Sequence, residues 1–133
     1  MNYLFIGFGG IVGAQLRYYV GLMVVHKSLA GFPIATLAAN LLGCFALGWF
    51  TTRVANHKIM RPEIISGLGT GLIGSFTTFS TFSADTMLLI QDNRLGTAFL
   101  YVFISLFGGL LLSWAGHRLG EVRHNSRMKG DVS

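Results

Sequence analysis

Long apolar runs separated by short polar gaps dominate the chain; neither helical nor strand-like alternation does. Four runs are long enough for a helix to cross a hydrocarbon layer, which takes about 20 residues for about 30 Å. They extend from Tyr3 to Val25, from Pro33 to Thr52, from Pro62 to Ile90 and from Leu95 to Gly116. Between them lie His26 to Phe32, Arg53 to Arg61 and Gln91 to Arg94. Pro33 and Pro62 stand where helices would start, and there a missing N–H is harmless. The pattern predicts an all-α integral membrane protein of four transmembrane helices within residues 1–117. A polar tail, residues 118–133, is expected to be a frayed helix end followed by disorder. The first run lacks a basic leader and a small-x-small cleavage site, so it reads as a retained span.

Composition strengthens this picture. Charged residues make up 11% of the 133 residues and hydrophobic ones 52%, with a mean hydropathy of +0.59. So small a soluble domain has a large surface to cover with polar groups, and here there are too few of them. An ordinary cytosolic enzyme and a disordered chain are both excluded, and the outer surface is expected to face a lipid bilayer. The net charge of +5 does not point to nucleic acid, because the basic residues flank the runs. Arg53, Lys58, Arg61, Arg118, Arg123, Arg127 and Lys129 fall on the side that holds both termini, and Lys27 and Arg94 on the other. That bias places the termini in the cytoplasm of a multi-pass protein of the inner or plasma membrane. The single cysteine, Cys44, sits in an apolar run and reads as a small buried hydrophobe.

The third run departs from a lipid-facing helix. Gly67, Gly69, Gly71 and Gly74 fall within eight positions, each lowering helix propensity by about 1 kcal/mol relative to Ala. Ser75, Thr77, Thr78, Ser80, Thr81 and Ser83 follow, interleaved with Phe76, Phe79 and Phe82. Irregular backbone at membrane depth persists only inside protein or against a water-filled cavity. This run is therefore expected at the centre of the assembly, with a break near Gly74 to Thr77. A break frees carbonyl oxygens that can coordinate a small cation. The phenylalanines, three residues apart, suit a packing stripe; their electropositive ring edges also suit an anion. The hydroxyls can bond back to the carbonyl one turn earlier or donate to the same anion. Gly9/Gly13 and Gly67/Gly71 are small-xxx-small pairs, suited to close helix contact, the second pair with a partner copy.

Other polar groups within the runs add to the candidates. Asn40 lies about 10 Å into the second run at 1.5 Å per residue. Its amide can donate two hydrogen bonds to an anion or tie two helices together. Tyr101, Ser105 and Gly109 share a face of the fourth helix. Arg17, near the inner end of the first, is a functional candidate that can also snorkel to the interface. Asp85 is the only carboxylate well inside a run. One carboxylate can relay a proton but cannot form an acid–base pair. No nucleophile–base set, phosphate loop, HExxH or CxxC is present, so an enzyme is not expected.

Gly74 to Ser83, GSFTTFSTFS, resembles the signature of the Fluc (CrcB) fluoride-channel family. So do LAANLLGCFALG around Asn40, GAQLRYY around Arg17 and the four-span length. The resemblance implies an antiparallel, dual-topology homodimer that exports fluoride passively through two pores. It implies that Phe79 and Phe82 are the pore phenylalanines and Asn40 a fluoride donor. Ser80, Thr81, Tyr101 and Ser105 would form a polar track, and Arg17 would lie near an aqueous vestibule. The carbonyls of Gly74 and Thr77 would hold a structural sodium ion (Na+) at the dimer centre. The family often has Glu where this chain has Asp85. The alternative reading is a small dual-topology proton-coupled exporter, of fluoride/proton or multidrug type, with Asp85 as its proton carrier.

Overall fold

A computed structural model describes residues 2–25, 31–55 and 60–130; Lys27 and Lys58, two of the flanking charges, lie outside them. The described residues are helical apart from short turns. Helix α1 spans Asn2–Val25 and α2 spans Ile34–Phe50. The latter continues as a π-helical turn, Thr51–Ala55, in which the Thr51 and Thr52 hydroxyls donate to the Leu47 and Gly48 carbonyls at 2.7 and 2.9 Å. The third run is composite: α3 (Pro62–Ser66), a π-helical stretch (Gly67–Ile73), α4 (Gly74–Phe76) and, past a break, α5 (Phe79–Gln91). Helix α6 runs from Leu95 to Gly130. Among the described residues, two stretches, Ile34–Val54 and Leu95–Glu121, are long and apolar enough to cross a membrane by themselves.

Two helix pairs organise the chain: α1 against the π-helical stretch and α4, and α2 along α6. Backbone meets backbone in both. A β-carbon on Gly9 would collide with the Gly67 carbonyl oxygen, and one on Gly13 with that of Leu72. Likewise, Gly48 lies on the Ser113 carbonyl and Gly116 on that of Phe45. In lipid, helices gain little from apolar contact alone, and small residues permit the close approach that holds them. One expectation is corrected here. The face carrying Gly67 and Gly71 is filled by Phe5 and Ile6 of α1 in the same chain, so it is not free for a partner copy.

Helix α6 also outlasts its expected end near Gly116, continuing to Gly130. Gly120 packs on Thr52, and the Thr52 hydroxyl lies 2.5 Å from His117 Nδ1. His117 Nε2 in turn faces Glu121 at 3.5 Å. These links carry the helix past the apolar run; residues 131–133 lie outside the described part.

Few apolar side chains are inside. The small core, Leu89, Ala98 and Tyr101, joins α5 to α6, with Phe32, Leu37 and Phe82 packed around it. Most large apolar side chains of α1 and α6, among them Phe8, Tyr19, Phe99 and Leu110, face outward. A soluble fold does the reverse with so many of them; this is a membrane protein.

Candidate functional site

The break in the third run is two residues of extended backbone. Thr77 has φ −81° and ψ 157°, and Thr78 has φ −151° and ψ 125°. It lies at the end of the expected interval and extends one residue beyond it, because Gly74 to Phe76 remain helical. Asn40, on α2, holds the break. Its Nδ2 donates to the Thr78 carbonyl at 3.0 Å, and its Oδ1 accepts the Thr78 N–H at 2.8 Å. A side-chain amide thus completes both backbone groups of Thr78, as a neighbouring strand would.

Four carbonyls, those of Gly74, Ser75, Phe76 and Thr77, lose their helical donors in consequence. In an unbroken helix Thr78 N–H would reach Gly74 and Thr81 N–H would reach Thr77. Thr78 N–H is taken by Asn40, and Thr81 N–H donates to the Thr78 hydroxyl at 3.2 Å, capping α5. The Gly74 carbonyl is met by the Thr77 hydroxyl at a long 3.3 Å. Gly74 and Thr77, which the resemblance nominates for a cation, are two of these four; the Ser75 and Phe76 carbonyls lie between them.

Beside the break lies a groove of about 540 Å³, lined by Asn40, Thr77, Thr78, Phe79, Phe82 and Ser105 among others. Its walls are mostly apolar and it opens outward. Phe79 is 80% exposed. Its ring centroid is 5.9 Å from that of Phe82, which is 5.2 Å from that of Tyr101. Tyr101 is fully buried. The hydroxyls of Tyr101 and Ser105 are buried and make no well-formed hydrogen bond among the described residues, although Thr36 and Asp85 lie beside that of Tyr101. Each such group is costly to leave unmet, about 1–3 kcal/mol, and groups kept in that state call for an explanation.

The structure brings Asn40, Phe79, Phe82, Ser105, Gly74 and Thr77 together around this groove, with Tyr101 behind Phe82. It does not bring the others there. Ser80 and Thr81 are exposed on α5, Thr81 taking part in the cap. Arg17 is half-buried on α1 and borders neither this groove nor the second cavity.

That second cavity, about 200 Å³, is bordered by Phe32, Thr36 and Asp85. The Thr36 hydroxyl donates to Asp85 Oδ2 at 2.6 Å. Sequence reasoning passed over Thr36. The signal was its place one helical turn before Asn40, hence on the same face of α2. It named Thr78 only among the hydroxyls of the third run; its backbone pairing with Asn40 follows from the structure alone.

Comparison with known proteins gives the same answer over nearly the whole chain. The family model described as CrcB-like protein, camphor resistance (CrcB), matches residues 4–117. A protein of Bacillus cereus named fluoride-specific ion channel FluC 1 is 48% identical over 132 residues, covering 98% of this chain and 92% of its own. One of Geobacillus kaustophilus, named fluoride-specific ion channel FluC 2, is 44% identical, covering 91% and 94%. A third, the fluoride-specific ion channel FluC of Oceanobacillus iheyensis, is 48% identical, covering 89% and 90%. Matched from Leu4 to His117 by the family model, the chain belongs to the CrcB family.

Proposed function

We propose that this chain is a passive, fluoride-selective channel of the inner or plasma membrane, crossing it several times and relieving the cytoplasm of fluoride. The observation that carries the reading is the Asn40-held break at Thr77–Thr78, which opens on a groove lined by the Ser105 hydroxyl, itself without a hydrogen-bond partner among the described residues. The relatives' names supply the ion.

Fluoride is small and strongly hydrated. A pore must replace its water with donors while avoiding a deep trap. After pairing with Thr78, the Asn40 amide retains one N–H for the ion. The edges of Phe79 and Phe82 carry partial positive charge without a full cation that would hold the ion. The hydroxyls of Ser105 and Tyr101 continue the path. The inside-negative potential drives an anion outward, by about 2.3 kcal/mol per charge per 100 mV.

The groove is open on one side, and polar groups facing lipid must be covered. A second copy, antiparallel to the first, is the proposed cover. It would bring Ser80 and Thr81, both exposed, to the path. A structural sodium ion between the copies fits the donor set, since backbone carbonyl oxygens suit a hard cation. Gly74 and Thr77 would hold it, and it would supply positive charge that ties the two breaks together.

The test is efflux from liposomes loaded with fluoride or chloride, without a pH gradient. Fluoride should leave and chloride stay. Replacing sodium by a large organic cation should lower dimer stability. Equal chloride flux overturns the selectivity. A strict need for a proton gradient favours the second reading, a proton-coupled exporter, for which the Asp85–Thr36 pair in its cavity speaks.

A further inference from the structure

We propose that Phe32 is a positioning residue of the ion path, aiming the hydroxyl of Tyr101 through its ring. This rests on the reading of Tyr101 as a path residue. Phe32 lies in the turn before α2, and that turn has a defined geometry. Pro33 has φ −78° and ψ 63°, and Ile34 N–H donates to the Phe32 carbonyl at 2.8 Å. These are the dihedrals and the bond of an inverse γ-turn. Proline's ring restricts φ to this range, so the direction in which Phe32 leaves the backbone is set locally.

The turn delivers the Phe32 ring onto Tyr101. Their centroids are 5.7 Å apart and their planes 88° apart, an edge-to-face pair. On its other side Tyr101 meets Phe82, 5.2 Å away and tilted by 36°. The Tyr101 ring is therefore held between two rings, one the proposed pore phenylalanine and the other Phe32. A buried tyrosine normally finds a partner for its hydroxyl. This one makes no well-formed hydrogen bond among the described residues, although the Thr36–Asp85 pair lies beside it, so the packing of Phe32 and Phe82 sets the ring that aims the hydroxyl at that pair or at the path. Phe32 also borders the cavity of Thr36 and Asp85. It is the element shared by that cavity and the aromatic column Phe79–Phe82–Tyr101.

The experiment measures fluoride efflux with a fluoride electrode from liposomes holding full-length F32L, F32M, F32Y, Y101F and F32L/Y101F. Each is checked for dimer formation and thermal unfolding in detergent. F32L and F32M should form normal dimers yet conduct about five- to tenfold more slowly, the weight of one aromatic pair. F32Y, which keeps the ring, should stay within about twofold of wild type on the same scale. F32L/Y101F should conduct like Y101F, because a residue acting through the Tyr101 hydroxyl has no further effect once that hydroxyl is gone. Wild-type rates in F32L overturn the proposal, as does a loss that persists undiminished in the Y101F background. Failure of both F32L and F32M to form dimers assigns Phe32 to folding and overturns it too. Wild-type vesicles that retain their fluoride overturn the channel reading and this inference with it.

Discussion

The α2–α6 pair and the broken third run both use glycine for close backbone contact, yet only the third run breaks. Along α2 and α6, Gly48 and Gly116 bring two continuous helices into backbone contact. In the third run, Gly67, Gly69 and Gly71 lie in a π-helical stretch that leads to the break at Thr77–Thr78. The difference lies in what satisfies the backbone. Regular helices satisfy their own. The broken run relies on a side chain from the regular pair, Asn40, for both backbone groups of Thr78. The rigid pair thus acts as a frame, and the polar site hangs from it by one amide.

That dependence is most open to attack at Asn40. In Asn40→Asp the donor to the Thr78 carbonyl is replaced by an acceptor, and losing that hydrogen bond costs about 0.5–1.5 kcal/mol. An ionised carboxylate would also repel the anion. Fluoride efflux from liposomes is expected to fall to background; conduction at wild-type rate would show that α2 does not hold the break. Next in size is one substitution made in each region. Gly48→Ala forces a β-carbon into the Ser113 carbonyl and should destabilise by about 1–3 kcal/mol. Gly74→Ala, whose β-carbon would find its nearest neighbour at 3.9 Å, should stay within about 1 kcal/mol of wild type. Thermal unfolding in detergent measures both, and equal losses would dissolve the contrast. Thr78→Val keeps the branched shape but removes the cap of α5, which should cost about 1 kcal/mol. The smallest effect is expected at Gly7, where a β-carbon meets nothing within 4 Å. Gly7→Ala should be neutral or stabilising by up to about 1 kcal/mol, read as an unchanged or slightly raised unfolding temperature.

Periodicity and composition report what each stretch of chain must bury, and so they settle local questions. The lengths of the apolar runs, Pro33 and Pro62 at helix starts, and a break forced by glycines and hydroxyls were all legible without coordinates. So was the candidate set at the break, Asn40, Phe79, Phe82, Gly74 and Thr77, through the resemblance of its motifs. The end of α6 was not, because the links from Thr52 to His117 and Gly120 that carry it onward join different helices. The same holds for the choice between the two roles of Asn40. Its partner Thr78 is 38 residues away in sequence, and only the crossing of α2 with the third run brings them together. Likewise the Gly67/Gly71 face could meet any helix, and the chain's own α1 takes it. Local pattern says that a surface must be covered or a backbone group satisfied. Which partner does it is a long-range choice, made by the pairing of helices in three dimensions.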